Sequence, residues 1–390
     1  VNGFLNSPAI GTGTDSAAAK AGIYIDGATL DAGAGNVSLR GTGVAGTSSA
    51  YGIHVLGGSG ISTTSGAISL NGTGGAGSGS NYGVSIFDSG TSISAVDGSI
   101  SILGQGAGTG SWTAGVVMVG ASVTSTETAP ITINGKGSDA GSQWNIGVLL
   151  TNGPTVQSTN GDITIIGQGG DNPLSYYNYG MLFQADAAVI STGMGNIRLN
   201  GTGGAGVSNA GYGNYGVNLV IPSSRVEAAD GSISITGQGA GSGDNQIGIF
   251  IQDAGYSGRS GIVSTGAARI TLDGRGAGIA PGISVTAPAV IGGASATGDI
   301  TFIAETASGT DSISLANVAI SGTGNLYLQP LNIAATIGLA GGAGTFNLGA
   351  TELGYIHPGF SSVTIGRSDG TGKITLGSSG WTVTGSANLT

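Results

Sequence analysis

The residues that could act as acids, bases or metal ligands are few in this chain and lie far apart. There are two histidines, His54 and His357, and 20 acidic residues in a chain of 390. His54 alternates with Ile53 and Val55, so we expect it to point away from the buried face of a strand, and the sequence identifies no serine or aspartate partner for it. Metal sites need clustered ligands, and the acidic residues do not cluster. We therefore predict a protein that is not an enzyme, with no catalytic residue, no metal and no cofactor.

Three segments match the Gly-x-Gly-x-x-Gly fingerprint of dinucleotide-binding proteins, beginning at Gly41, Gly72 and Gly201. A dinucleotide site needs a helix that starts at this turn and directs its N-terminus at the pyrophosphate. No helical pattern follows any of the three segments. We interpret them as corners of the chain that need positive φ angles, which glycine adopts without strain.

The aromatic residues are better candidates for a binding site. Trp112, Trp144 and Tyr177 each lie three residues before a recurring glycine, so we expect them to align on adjacent loops. Stacked aromatic rings can hold sugar rings or a neighbouring chain. The alternative is that the three rings stack on one another and only cover apolar residues beside them.

Those apolar residues are Val117, Leu149 and Leu182, which we place on the outward side of three successive strands. An exposed apolar strip is usually a contact surface or is covered by a loop. Self-association into fibres or bundles through this strip is therefore a second hypothesis, beside binding of surface glycans by the aromatic residues.

The elements that must position these residues are short strands in a repeat. Segments such as Gly98-Ser-Ile-Ser-Ile-Leu-Gly-Gln-Gly106 and Gly231-Ser-Ile-Ser-Ile-Thr-Gly-Gln-Gly239 recur about every 31–36 residues. Each combines alternating apolar and polar residues with a Gly-x-Gly turn, which is typical of a strand and its turn. A repeat of this size indicates stacked units, each too small to bury a core alone.

Aligning the repeats gives nine coils of three strand segments each, with apolar residues at the same positions in every coil. The first segment supplies the pairs Ile23/Ile25, Ile53/Val55, Val84/Ile86, Val116/Met118, Val148/Leu150, Met181/Phe183, Val217/Leu219, Ile249/Ile251 and Ile283/Val285. The second supplies Leu30, Ile61, Ile93, Val123, Val156, Ile190, Val226, Val263 and Ile291. The third supplies Val37/Leu39, Ile68/Leu70, Ile100/Ile102, Ile131/Ile133, Ile163/Ile165, Ile197/Leu199, Ile233/Ile235, Ile270/Leu272 and Ile300/Phe302.

This pattern predicts an all-β fold, a right-handed parallel β-helix with ladders of apolar residues inside. Alternate residues of a strand face opposite sides, and parallel crossovers are nearly always right-handed. We expect about nine long coils over residues 1–315 and divergent, shorter coils over 316–390. The last residues, Trp381-Thr-Val-Thr-Gly, still alternate, so we expect the native chain to continue.

Composition excludes two classes of partner. Ten basic and 20 acidic residues give a net charge of −10. Nucleic-acid binding depends on Lys and Arg that neutralise phosphates, and anionic membrane surfaces also attract basic segments. No apolar run reaches the ~18 residues of a membrane helix. We therefore predict neither nucleic-acid binding nor membrane insertion.

Polysaccharide-degrading β-helix enzymes are the catalytic alternative, and these need carboxylates in a groove on one sheet. The outward residues of the third segment form a ladder of hydroxyl groups with one arginine and no carboxylate. They are Ser38, Ser69, Ser101, Thr132, Thr164, Arg198, Ser234, Thr271 and Thr301. This face does not favour catalysis.

The repeated Gly-x-Ile-x-Ile-x-Gly-x-Gly segments resemble the filamentous-haemagglutinin type of large secreted exoprotein and related autotransporter passenger domains. The later stretches Asn325-Leu-Tyr-Leu-Gln-Pro-Leu, Gly344-Thr-Phe-Asn-Leu-Gly-Ala-Thr-Glu-Leu and Gly359-Phe-Ser-Ser-Val-Thr-Ile-Gly-Arg-Ser-Asp-Gly-Thr-Gly are similar to segments of such proteins. The resemblance implies a bacterial surface or extracellular protein that works as a stalk, an adhesin or a matrix fibre.

Overall fold

A computed structural model of the chain describes residues 4–5, 20–46, 48–207, 213–221, 224–253, 261–286, 288–308, 311–379 and 388–389. The segment Trp381 to Gly385, whose alternation predicts a continuing chain, lies outside these residues. The regular structure of the described part is β-strand apart from one short helix, Ala350–Leu353. Three long parallel sheets run along the molecule, and ten successive coils each contribute one strand to every one of them.

The first sheet has ten strands and the second sheet has ten. The strands of the first sheet are Ile23–Asp26, Ile53–Leu56, Val84–Phe87, Val116–Val119, Val148–Thr151, Met181–Phe183, Val217–Ile221, Ile249–Asp253, Ile283–Val285 and Ile313–Leu315. Those of the second sheet are Thr29–Asp31, Gly60–Thr63, Ser92–Ala95, Ser122–Ser125, Thr155–Ser158, Ala188–Ser191, Arg225–Ala228, Gly261–Ser264, Ala289–Gly292 and Val318–Ser321.

The third sheet has 13 strands. They are Phe4–Leu5, Val37–Thr42, Ile68–Thr73, Ile100–Gln105, Ile131–Lys136, Ile163–Gln168, Ile197–Thr202, Ile233–Gln238, Ile270–Gly276, Ile300–Thr306, Asn325–Pro330, Ser362–Ile365 and Asn388–Leu389. A separate sheet of three parallel strands, Phe346–Leu348, Ile337–Leu339 and Ile374–Leu376, lies in the C-terminal part. Whether residues 316–390 form a separate domain stays a prediction.

The predicted β-solenoid is confirmed, because successive coils pair in parallel and in register. Ile100 pairs with Ile131, and Ile131 pairs with Ile163. All three side chains are buried in one continuous apolar core. Ten coils at the interstrand spacing of about 4.8 Å give a tube roughly 45 Å long.

Two positions of the second segment differ from the prediction. Val189, and not Ile190, pairs with the inward Val156, and Ile262, and not Val263, pairs with the inward Val226. Both coils contain two adjacent branched residues, so alternation alone cannot decide which one faces the core. The small residue that follows two positions after the inward residue, Ser191 or Ser264, gives the correct register.

The first glycine of each Gly-x-Gly-x-x-Gly segment is required for a reason other than the predicted one. Gly46, the last glycine of the first segment, does have a positive φ angle of 83°, but Gly41, Gly72 and Gly201 do not. A Cβ atom at each would overlap the carbonyl oxygen of a glycine where the first sheet begins, for example that of Gly52 for Gly41. Two backbone segments of one coil touch at this corner, and only glycine allows that approach.

The corner of the fourth coil gives a direct test. A Cβ at Gly104 would overlap the Gly115 carbonyl, whereas a Cβ at Gly60 would lie 3.9 Å from its nearest neighbours, the side chains of Ser92 and Thr29. We expect Gly104→Ala to lower the free energy of unfolding by about 1–3 kcal/mol because the packed corner must shift. Gly60→Ala, the matched control, should be neutral or slightly stabilising. Equilibrium denaturation measures both changes, and equal effects of the two variants would contradict the close approach.

The end of the first sheet is covered by the C-terminal part of the chain. The Glu352 carboxylate, on the short helix, accepts hydrogen bonds from the backbone N–H of Leu315 at 2.9 Å and of Gly349 at 2.8 Å. Asp311 lies nearby, and its Oδ1 atom is buried with no hydrogen-bond donor among the described residues. Burial first, and then the charge of Glu352, raise the pKa of Asp311 from 3.8 to about 7.

This carboxyl group makes stability depend on pH. Because folding raises its pKa, the folded state binds the proton more tightly than the unfolded state does, so the ionised form destabilises the fold. The penalty is complete above pH 7, shrinks as the pH falls from 7 towards 3.8, and is absent below that. We expect Asp311→Asn to stabilise the protein at pH 8 by about 1–2 kcal/mol, a value reduced for partial exposure, and to have no such effect at pH 3.5.

Thermal unfolding of the variant and the parent at several pH values measures this difference. Asp244→Asn, at an exposed loop residue, controls for the loss of one negative charge. A gain in stability by Asp311→Asn that is the same at pH 8 and pH 3.5 would contradict the assignment.

Candidate functional site

The predicted aromatic residues lie in a ladder of residues with the left-handed backbone conformation. Its members occupy the same position in five successive coils and have φ angles between 50° and 59°: Ser49, Ser80, Trp112, Trp144 and Tyr177. Each of the first four donates its backbone N–H to the carbonyl just before the next member, at 3.0–3.1 Å. Identical backbone conformations direct the side chains the same way, so they lie one above another. We call this set the left-handed ladder.

The three rings of the left-handed ladder form a continuous stack. The ring centroids of Trp112 and Trp144 are 4.6 Å apart with planes 2° apart, and those of Trp144 and Tyr177 are 4.0 Å apart with planes 20° apart. The sequence-based alignment of these residues is therefore present in the structure. A left-handed conformation is unfavourable for bulky residues, and strain of this kind persists only where surrounding structure enforces it.

Buried amides beside the ladder provide that enforcement. Asn145 follows Trp144 and is fully buried. Its Nδ2 donates to the Gly141 carbonyl at 3.1 Å and to Asn178 Oδ1 at 2.8 Å, while its Oδ1 accepts from Thr113 Oγ1 at 2.5 Å. The bond to Gly141 closes the loop that carries Trp144. Bonds between coils fix each loop to the next, because an unpaired buried amide would be costly.

The apolar strip predicted beside the rings is not exposed. Val117, Leu149 and Leu182 do lie on the outward side of the first sheet, in register with one another, yet only 1–4% of each residue is accessible. They belong to a second apolar cluster outside the tube, against which Trp144 and Tyr177 pack. The arrangement is the alternative in which the rings cover the strip. Self-association through these three residues would require the cover to open.

The cover is built differently in different coils. One residue before the recurring glycine, Tyr51 and Tyr82 stack at 5.4 Å, and Tyr179 and Tyr215 stack at 5.0 Å. The two coils between these pairs have Ala114 and Ile146 at this position, and there the tryptophans of the left-handed ladder take the place of the tyrosines. Burial raises the pKa of Tyr179 well above its usual value. The constant offset of these tyrosines from the glycine is visible in the sequence. Their role in covering the outward apolar residues was not predicted from it.

His54 has a partner that the sequence did not reveal. It lies outside the tube as predicted, but it is buried under the aromatic cover with Tyr51 at 4.5 Å and Phe87 at 5.2 Å between ring centroids. Its Nδ1 is 2.5 Å from Ser85 Oγ. Ser85 occupies the same position one coil later, so the signal was the repeat itself. With both residues buried, the pair is part of the packing under the cover.

The other features considered in the sequence are the hydroxyl ladder, metal sites and membrane-spanning segments. The predicted hydroxyl ladder of the third sheet is in register, for example Ser101 with Thr132 and Thr132 with Thr164. In the part of the chain that the structure describes, no group of three or more His, Asp or Glu residues is placed to hold a metal ion. Over the same residues, no helix has the length and apolar character needed to cross a membrane.

Comparison of the chain with protein-family models, with curated proteins and with solved structures gives no match. The structure defines the class of the protein, a β-solenoid built from sequence repeats. Inference of its function depends on its own residues and geometry.

The parallel indoles of Trp112 and Trp144 predict a spectroscopic signature. Transitions in rings stacked face to face couple, and the coupling lowers the strong ultraviolet absorption of the indoles (hypochromism). Trp112→Phe and Trp144→Phe should each reduce this hypochromism, measured as the difference in absorption between folded and unfolded protein, because either change leaves one indole in the stack. Tyr215→Phe, which keeps its ring, is the control and should preserve the hypochromism. Unchanged hypochromism in either tryptophan variant would contradict the stack.

Proposed function

We propose that the chain is a non-catalytic, structural and adhesive segment of a secreted bacterial surface protein, such as a stalk, a fibre or a matrix adhesin. One observation carries this proposal: ten successive coils pair in parallel without a break in register. Such a stack grows in one dimension only, because each coil contacts its neighbours alone. It is suited to holding two points apart.

The direction of the hydrogen bonds supports a role in bearing load. Bonds between parallel strands run from coil to coil, so they lie along the axis of the tube. Each coil is joined to the next by three strands at once, and bending or stretching the tube must strain bonds in all three sheets. Between Val84 and Leu219 the paired inward residues of the first and third sheets are all apolar and stack on apolar residues, which stiffens the tube further.

The exterior supports presentation to the surroundings. Hydroxyl groups of Ser and Thr form one row on the outer face of the third sheet, and loops of variable length project where the chain passes from the third sheet to the first. Variable exposed loops on a rigid scaffold commonly carry recognition. The resemblance to filamentous-haemagglutinin-type exoproteins supports an extracellular or cell-surface location.

Display on a non-adherent heterologous bacterium tests the proposal. Cells that display the chain should settle several-fold more than parent cells on surfaces coated with glycoprotein, measured by counting after washing. Gly104→Ala with Gly135→Ala should reduce settling, because both Cβ atoms would overlap backbone at a coil corner. Gly60→Ala is the matched control and should settle like the parent chain.

Two results would overturn the proposal. One is settling no greater than that of parent cells at equal display. The other is catalysis, detected as continuous release of reducing ends from acidic polysaccharides by the purified chain.

A further inference from the structure

We propose that the outward face of the Trp112 indole, at the end of the ring stack, binds one saccharide ring. This site deepens the adhesive part of the proposed function and names its class of ligand. It also revises the hypothesis that Trp112, Trp144 and Tyr177 together form a carbohydrate platform. Rings that stack face to face cover each other's faces, so only the two terminal faces of the stack remain for a ligand.

Trp112 and Tyr177 are the two terminal rings of the stack. Tyr177 also contacts the rings of Tyr176 and Tyr179, so the site is assigned to Trp112. One face of Trp112 lies on Trp144 at 4.6 Å. On the other side, the ladder position is occupied by Ser80 and, one coil further, by Ser49. Neither serine supplies a ring. Trp112 is 37% exposed, whereas Trp144 and Tyr177 are partly buried.

The ladder has no ring at the level of Ser80, next to Trp112, and we call this level the vacant layer. Its thickness is that of a ring. Coils repeat at about 4.8 Å, and the rings of this stack are 4.0–4.6 Å apart. Ser80 lies one coil from Trp112 on one side, and Trp144 lies one coil from Trp112 on the other. The space beside Trp112 at the level of Ser80 therefore has the same depth as the space that the Trp144 ring fills. A planar ring or a flat pyranose chair therefore fits where the next aromatic residue of the ladder would lie.

The described residues beside the layer are neutral and carry hydroxyl groups. Ser111 precedes Trp112 and lies beside Gly79, which precedes Ser80 in the neighbouring coil. Ser80 bonds to the Tyr82 side chain. A pyranose with equatorial hydroxyl groups offers C–H groups on its face and hydroxyl groups at its edge. It therefore matches an indole face with a polar border.

Size argues against a protein partner on this face alone. One face of an indole offers on the order of 100 Å², whereas stable protein–protein contacts bury about 800 Å² per partner. A cation is the other small ligand that favours the face of tryptophan. The hydroxyl groups at the border favour the saccharide, and the experiment below includes a cation to separate the two.

The ring is also held in place before any ligand arrives. The left-handed backbone at Trp112, its N–H bond to the Gln143 carbonyl at 3.1 Å, and the stacked Trp144 fix the indole. A ligand then has little side-chain freedom to immobilise, which lowers the entropic cost of binding. Strained backbone held by its surroundings is typical of binding sites.

Titration of the purified chain with cellobiose and with chitobiose tests the site, followed by tryptophan fluorescence and by saturation-transfer NMR. We expect binding that Trp112→Ala weakens at least tenfold. Ser80→Leu should weaken it as much, because the leucine side chain would fill the layer at Ser80 without offering a flat ring of its own, while Trp112 stays in place. A shift of tryptophan emission to shorter wavelength would report that the leucine covers the indole.

Ser49→Leu is the matched control. It introduces the same side chain one coil further away and leaves the layer at Ser80 open, so binding should stay within threefold of the parent chain. Retained binding in Trp112→Ala or in a folded Ser80→Leu variant would overturn the site. So would binding of tetramethylammonium without either saccharide, or binding of none of the probes.

The outcome is separable from that of the proposed function. Settling of displaying cells that survives Trp112→Ala and Ser80→Leu, together with no saccharide binding by the purified chain, refutes this site and leaves the adhesive rod in place. Saccharide binding with no settling refutes the adhesive role and leaves the site.

Discussion

In-register pairing of parallel coils is the constraint on which the rest of this molecule depends. Each residue lies directly beside its counterpart in the next coil, about 4.8 Å away. Side chains of similar size and polarity therefore stack most favourably. Inside the tube this produces ladders of Ile, Leu and Val. Outside it produces ladders of hydroxyl groups, amides and rings. A mismatch in one coil disturbs two neighbours, which explains why residue types persist over several coils and then change together.

The same constraint creates a second apolar layer on the outside of the first sheet. Outward residues such as Val117 and Leu149 cannot be left in water as a continuous strip, and rings from the loops cover them. Two solutions alternate along the axis, tyrosine one residue before the glycine or tryptophan three residues before it. Where one solution replaces the other, a stack of rings must end. The boundary between Ser80 and Trp112 is such a place. The last ring of the stack has one face that no further ring covers, whereas the rings inside the stack are covered on both faces.

Backbone geometry, more than side-chain chemistry, makes these ladders regular. Glycine at the corners lets two backbone segments of one coil touch, and this contact fixes the angle at which the first sheet starts. Buried amides such as Asn145 and Asn178 then tie each loop to the next. The strained conformation of Trp112 and Trp144 costs of order 1–3 kcal/mol each, and the stack and the amides together offset it. Rigid scaffolding of this kind can hold a binding face on a protein whose exterior is otherwise uniform.

The amino-acid sequence by itself determined the strands, their parallel stacking and the inward ladders, because the alternation of Ile and Val with polar residues repeats in every coil. It also aligned Trp112, Trp144 and Tyr177, since a constant offset from a glycine becomes a constant position in a solenoid. Only the tertiary structure decided which side chains cover the outward residues of the strands. Burial of Val117, Leu149 and Leu182 and the pairing of His54 with Ser85 both depend on neighbouring coils. Periodicity predicts on which face of the sheet a side chain lies, but the residues that cover it are some thirty positions away in the sequence. The left-handed backbone conformation that stacks the rings cannot be predicted from the presence of a tryptophan.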